Sequence, residues 1–124
     1  MIELTMPYPP SANTYWRSPN KGALAGRHLL SEKGRRYRAE VQTLCLVERV
    51  RRMTGRVTVE MLVCPPDRRR RDLDNVLKAT LDSLTHGGAW DDDSQIDRLV
   101  VSRGDVVPGG RLLVRIKQYE RGQA

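Results

Sequence analysis

The chain of 124 residues has little of what thiol, disulfide or imidazole chemistry requires, with two cysteines, two histidines and no apolar run long enough to span a bilayer. Cys45 and Cys64 stand apart, with no Cys-x-x-Cys or Cys/His spacing, which argues against zinc and leaves both as small buried hydrophobes in a reducing compartment. His28 and His86 are isolated and are expected on the surface or in loops rather than in catalysis. The stretch Met1–Pro7 lacks the basic flank and apolar core of a secretion signal. There is no internal repeat and no low-complexity tract. The expectation is one cytoplasmic domain over residues 1–124, without membrane contact.

Positive charge, in contrast, is abundant. Lysine and arginine number 22 against 15 aspartates and glutamates, a formal charge of +7. Such a balance suits a protein that meets phosphates, although a basic protein without such a partner would look the same by charge alone.

Hydrophobic periodicity sets out the frame. Ile2, Leu4 and Met6 alternate with polar residues before Pro7, as a half-buried strand does. From Pro7 to Gly26 the chain is rich in turn formers and predicts a long loop without regular structure. Its Tyr8, Tyr15 and Trp16, beside Arg17, Lys21 and Arg27, suit either stacking on a nucleic acid strand or anchoring the loop to the core. Ser31 reads as the start of an amphipathic helix running to about Arg52, with Tyr37, Val41, Leu44, Cys45, Val47 and Val50 facing inward. Val57 to Cys64 alternates again as a strand. A second helix, beginning near Asp72 to Asn75, carries Leu73, Leu77, Leu81 and Leu84 on one stripe and ends at Gly87 and Gly88. Ile96 to Ser102 and Leu112 to Ile116 read as two further strands, and Arg121 to Ala124 as a frayed tail. The fold class is α+β, in the order β-α-β-α-β-β, with a mixed or antiparallel four-stranded sheet covered by two main helices.

Chemistry concentrates where the strand ending at Cys64 runs into the second helix. Arg68, Arg69, Arg70 and Arg71 precede Asp72 and Asp74, and Lys78 follows four residues after Asp74. Arginines suit phosphates. Carboxylates at a helix start suit a divalent cation, because unsatisfied backbone N–H groups there lower the cost of crowding negative charge. Magnesium binds through a few carboxylates and keeps waters and substrate oxygens in its shell. One helix cannot close such a site alone, and Asp91, Asp92 and Asp93, after a Gly-Gly turn, are the best source of a further carboxylate. The combination points to metal-dependent cutting of nucleic acid, with Lys78 stabilising developing charge or orienting the nucleophile. The alternatives are a basic DNA-binding module without catalysis and a nuclease acting on flaps or plain duplex.

The run Pro66 to Asn75, together with Lys78, Leu81-Asp82-Ser83-Leu84-Thr85, Gly88-Ala89-Trp90, the following aspartates and Gln95, resembles the RusA family of Holliday-junction resolvases, which prophages often encode. Weaker similarity at Pro9–Asn13 and Gly109–Leu112 extends it over most of the chain. The resemblance implies a homodimer with one magnesium-dependent site per subunit, manganese being able to substitute, that nicks paired strands of a four-way DNA junction in recombination and repair. It puts the essential carboxylates at Asp72, Asp74 and Asp93, the active-site lysine at Lys78, and the last arginine of the basic run at Arg71. Relatives carry an apolar residue and two aspartates after the tryptophan, whereas this chain has three aspartates, so Asp92 competes with Asp93 as the third ligand.

Overall fold

The computed structural model describes residues 1–121, so all of the expected C-terminal tail beyond Arg121 lies outside the described residues. Strand β1 (Ile2–Pro7) leads into a short helix α1 (Ala12–Tyr15) and a two-stranded ribbon, β2 (Trp16–Arg17) with β3 (Leu29–Leu30). Helix α2 (Glu32–Val47), strand β4 (Val57–Cys64), helix α3 (Leu77–Gly87), strand β5 (Ile96–Arg103) and strand β6 (Arg111–Gln118) follow. The main sheet is mixed, as expected, in the order β1-β6-β4-β5, with β5 parallel to β4 and the other pairs antiparallel. Among the described residues no helix is long and apolar enough to cross a membrane.

One face of the sheet is covered. Leu4, Met6, Val57, Val59, Met61, Val63, Leu112, Val114 and Ile116 form a single core with Tyr37, Val41 and Cys45 of α2 and Ala79 and Leu84 of α3. The strand alternation read from sequence therefore matches the buried face.

Three expectations need correction. The segment after Pro7 is not without regular structure: it folds into α1 and the ribbon because Tyr15 is fully buried and pins it down. Helix α2 stops at Val47, not near Arg52. Arg49 adopts a left-handed φ of 54°, its N–H donating to Leu46 O and that of Val50 to Cys45 O, a Schellman ending without its usual glycine. Val47, expected inside, is 69% exposed. Finally, the chain reaches α3 through a 3₁₀ turn, Leu73–Val76, and the tighter winding shifts the buried stripe to Val76, Ala79, Thr80, Ser83 and Leu84, leaving Leu73, Leu77 and Leu81 on its flank.

The first turn of α2 is close against α1. Ser31 caps the helix by accepting from the Gly34 N–H at 3.0 Å, and donates to the Tyr15 carbonyl at 3.0 Å. A Cβ on Gly34 would stand 2.3 Å from that carbonyl oxygen. Gly34→Ala should therefore lower the unfolding free energy by about 1–3 kcal/mol, as overpacking does, although alanine is the better helix former. Urea denaturation measures it, and an unchanged midpoint would refute the close approach.

Candidate active site

The arginine run is organised by Asp67. Its carboxylate accepts from the Arg69 backbone N–H at 2.9 Å and from the Arg71 guanidinium at 2.6 Å, so an Asx turn and an ion pair hold one loop. The Arg71 hydrogen bond, followed by the Arg69 N–H, pulls the Asp67 carboxyl down to about 2. Because the folded value lies below the ordinary 3.8, this brace is at full strength above that pH and is lost only as pH falls through about 2. Arg103 donates to the Arg71 carbonyl at 2.8 Å and ties the loop to the end of β5. Arg68, Arg69 and Arg70 remain exposed, whereas Arg71 is largely covered.

Asp72 precedes the 3₁₀ turn in extended conformation, and Asp74 lies in its first residues; both are exposed. Neither has an ion-pair partner among the described residues, in spite of the adjoining arginines. Lys78 follows in the first turn of α3, also exposed.

The three aspartates after Trp90 are sorted by structure. Trp90 is fully buried, its indole N–H donating to Thr85 Oγ1 at 2.7 Å, and so fixes where the loop begins. Asp91 turns to Arg52 in an ion pair of 2.5 Å. Asp92 caps a 3₁₀ turn, Asp93–Gln95, accepting from the Ser94 N–H, while the Gln95 amide oxygen accepts from the Asp91 and Asp92 N–H groups. Backbone donation from Ser94 holds the Asp92 carboxyl below its ordinary range. Asp93 is the remaining member. Burial first, then its hydrogen bond with the Asp92 carboxyl, pushes it up, while the positive field of Lys78 opposes and the charge of Asp82 adds to the rise.

The loop thus folds back onto α3, and the structure brings Asp93 within the field of Lys78. The expected strand adjacency is present too, since β5, which follows this loop, pairs with β4. It does not bring the three carboxylates into one ready cage: among the described residues no three His, Cys, Asp or Glu side chains converge closely enough to hold a metal ion. The donor set Asp72, Asp74 and Asp93 is all oxygen, which fits a hard cation such as magnesium that keeps part of its shell as water and needs few protein ligands.

Beside the site lies a polar knot that motif reasoning passed over. The Tyr15 hydroxyl donates to Asp82 and lies 3.3 Å from Ser83 Oγ, while Arg38 of α2 donates to the same Asp82 oxygen at 2.7 Å. Burial, then the Asp82 contact, raises the Tyr15 phenol above its ordinary value. The available signal was spacing, since Asp74, Lys78 and Asp82 recur every fourth residue and Asp82 stands one turn beyond Lys78.

An α+β fold that sets exposed arginines beside unpaired carboxylates and a lysine, at one strand-to-helix junction, has the features of an endonuclease. The chain belongs to the endodeoxyribonuclease RusA family, whose family model matches residues 7–117. It is 44% identical over 119 residues to the crossover junction endodeoxyribonuclease rusA of Enterobacteria phage HK97, with 95% of each chain covered. It is 37% identical over 118 residues to the crossover junction endodeoxyribonucleases RusA of Enterobacteria phage 82 and of Escherichia coli strain K12, covering 93% of this chain and 92% of each relative.

Asp82→Ala should leave the largely covered Arg38 guanidinium and the Tyr15 hydroxyl without their shared acceptor and lower the unfolding free energy by about 1–3 kcal/mol. Tyr15→Phe, which spares the Arg38–Asp82 pair, should cost less. Equal midpoints for wild type and Asp82→Ala in urea would show that the knot carries no stability.

Proposed function

We propose that this chain is a crossover junction endodeoxyribonuclease that resolves four-way DNA junctions by paired, magnesium-dependent nicks, and that it acts in the cytoplasm as a homodimer of one nuclease domain over residues 1–124. The observation that carries the catalytic part is the loop of Asp93, which packs against the helix headed by Asp72 and Asp74 while Asp91 is taken by Arg52 and Asp92 by its cap, leaving Asp93 uncommitted. A carboxyl kept above its ordinary range beside another acid is one that a cation would relieve. Asp72, Asp74 and Asp93 are therefore the proposed metal ligands, and Asp92, whose oxygens serve the cap, is the lesser candidate. When bound, the cation would polarise the scissile phosphate and acidify a bound water.

The remaining roles belong to the chain itself. Arg68, Arg69 and Arg70, exposed on the Asp67 turn, would hold flanking phosphates, and Arg71 would keep that turn in shape and add its charge. Lys78 would face the phosphoryl oxygens as negative charge develops on them.

Homodimer formation is supported by the uncovered face of the main sheet. Across it run a row Thr5, Leu113, Leu62 and Ser102 and a row Glu3, Arg115, Glu60 and Val100, paired strand to strand. Leu62 and Leu113 are 36% and 37% exposed, and both charge signs are present. Two copies related by a two-fold axis could place acid against base while burying the leucines, with paired sites matching the symmetry of a junction.

The test offers a synthetic four-way junction, a linear duplex and a flap, with magnesium or EDTA. Symmetric magnesium-dependent nicks confined to the junction are expected. Asp74→Asn should reduce cutting by at least about 100-fold, beyond what loss of a mere outer partner of a metal costs, while junction binding persists or tightens. Asp91→Asn, paired outside with Arg52, should cut normally. Indiscriminate cutting favours the flap or duplex nuclease, and binding without cutting under any divalent cation favours the non-catalytic module.

The dimer has its own test. Leu62→Glu with Leu113→Glu should move the mass in sedimentation from twice 14.1 kDa to 14.1 kDa. A wild-type monomer, or a double variant that stays dimeric, refutes the assignment of this face.

A further inference from the structure

The ribbon that follows α1 is joined to the candidate site at its root and exposed at its tip. At the root, Asn75, the neighbour of Asp74, accepts from the Ala12 N–H at 3.2 Å, and the Tyr15 hydroxyl binds Asp82 one turn beyond Lys78. Ser31 fastens the returning strand by donating its N–H to the Tyr15 carbonyl at 2.9 Å. Strands β2 and β3 pair at Trp16 with Leu30 and at Arg17 with Leu29, and the connection between them is closed by its own backbone, Gly26 N–H donating to Pro19 O at 2.9 Å. Residues 20 to 28 are exposed throughout.

The chemistry of this arm is one-sided. Between Glu3 and Glu32 the chain has no aspartate or glutamate, while Arg17, Lys21 and Arg27 are all exposed on the arm. At its base the Trp16 indole and the His28 imidazole stack with centroids 4.6 Å apart and planes 28° from parallel, and Tyr15 meets Trp16 edge-on at 5.2 Å. His28 is itself exposed. The result is an aromatic stack open at one end, flanked by cations with no local acid to neutralise them. A purely structural role for Trp16 would explain the Tyr15 contact, but not the acid-free, exposed continuation.

We infer that residues 16–30 form a second nucleic-acid contact, an arm that takes phosphates on Arg17, Lys21 and Arg27 and accepts an unstacked base on the outer face of His28, which Trp16 backs. This rests on the DNA-cutting reading for the nature of the polymer. The arm goes beyond that reading in assigning recognition to an element apart from the Arg68–Arg71 turn. Stacking requires a base free of its own neighbours, which a branch point offers and continuous duplex does not. Because the root bonds at Asn75 and Asp82 flank Lys78, a branch held by the arm would stand in a fixed relation to the bond being cut.

Binding is read in EDTA, with the full chain, by fluorescence anisotropy of a labelled four-way junction and of a duplex of equal length across a salt series. Lys21→Gln with Arg27→Gln should lower the slope of log affinity against log salt by about 0.9 for each charge removed. His28→Ala, which leaves every lysine and arginine in place, should weaken junction binding at least about fivefold, the lower end of the cost of a lost base stack, with little change for duplex. Unchanged slopes in the double variant, or equal losses on junction and duplex for His28→Ala, overturn the proposal. A protein that binds junctions through the arm yet cuts nothing upholds the arm and refutes the catalytic reading. Normal cutting with wild-type binding by all arm variants does the reverse.

Discussion

The Tyr15 hydroxyl on Asp82 is the contact that ties the N-terminal segment, and with Arg38 helix α2, to the helix that carries Lys78. Tyr15 is fully buried, and it meets three elements at once: its ring and hydroxyl reach α3, its carbonyl receives Ser31 and the tight first turn of α2, and its neighbour Trp16 begins the ribbon. Arg38 completes the knot from α2. The charges on Arg38 and Asp82 are only about a quarter exposed, so each depends on the other for the solvation it has lost. A surface ion pair such as Glu32 with Arg36, about three-quarters exposed, contributes little in comparison.

Charge is otherwise sorted with a consistent outcome around the site. Asp67 is taken by Arg71, Asp91 by Arg52 and Asp97 by Arg56, and Asp92 spends its acceptors on a backbone cap. Asp72, Asp74 and Asp93 are left without such a partner, in a chain whose cations outnumber its acids by 22 to 15. Arginines so numerous would neutralise any acid they could reach, so these three stay uncommitted because the loop geometry turns the nearest guanidinium groups elsewhere.

How much of this was legible follows from which signals are local. Strands β1, β4 and β6 were readable because alternation reports directly on a sheet covered on one side, and β5 from its apolar Leu99, Val100 and Val101. The end of α3 was readable because Gly88 takes the left-handed φ of 88°, while the end of α2 used the same backbone motif with Arg49 at 54°, for which no residue type gives notice. Asp72, Asp74, Lys78 and the acidic loop were visible as a motif, since their spacing is short. That Asp93 is the one of three adjacent aspartates left uncommitted was favoured by the family resemblance and not by spacing, because it depends on Arg52 and Gln95 reaching the loop from 39 residues upstream and from within it. The knot was hidden for the same reason, its partners lying 67 and 44 positions apart in sequence.

The open arrangement of the carboxylates has a physical logic of its own. Three acids fixed in one cage repel each other in the free protein, and such a site makes folding depend on the cation. Here Asp72 sits in extended chain, Asp74 in a 3₁₀ turn and Asp93 on a separate loop, so the repulsion is spread over separate elements outside the core of α2, α3 and the sheet. The cost, if these acids hold the proposed cation, would be an incomplete coordination shell. Magnesium tolerates that cost, since water and phosphate oxygens fill its octahedron readily. In the proposed enzyme, DNA would then be part of what completes the site, and tight metal binding and substrate binding would reinforce one another. A protein carrying a positive arm and a positive turn together with uncommitted carboxylates would be arranged for that coupling: the cations would bring in the polyanion, and the polyanion would supply the oxygens that the carboxylates alone do not.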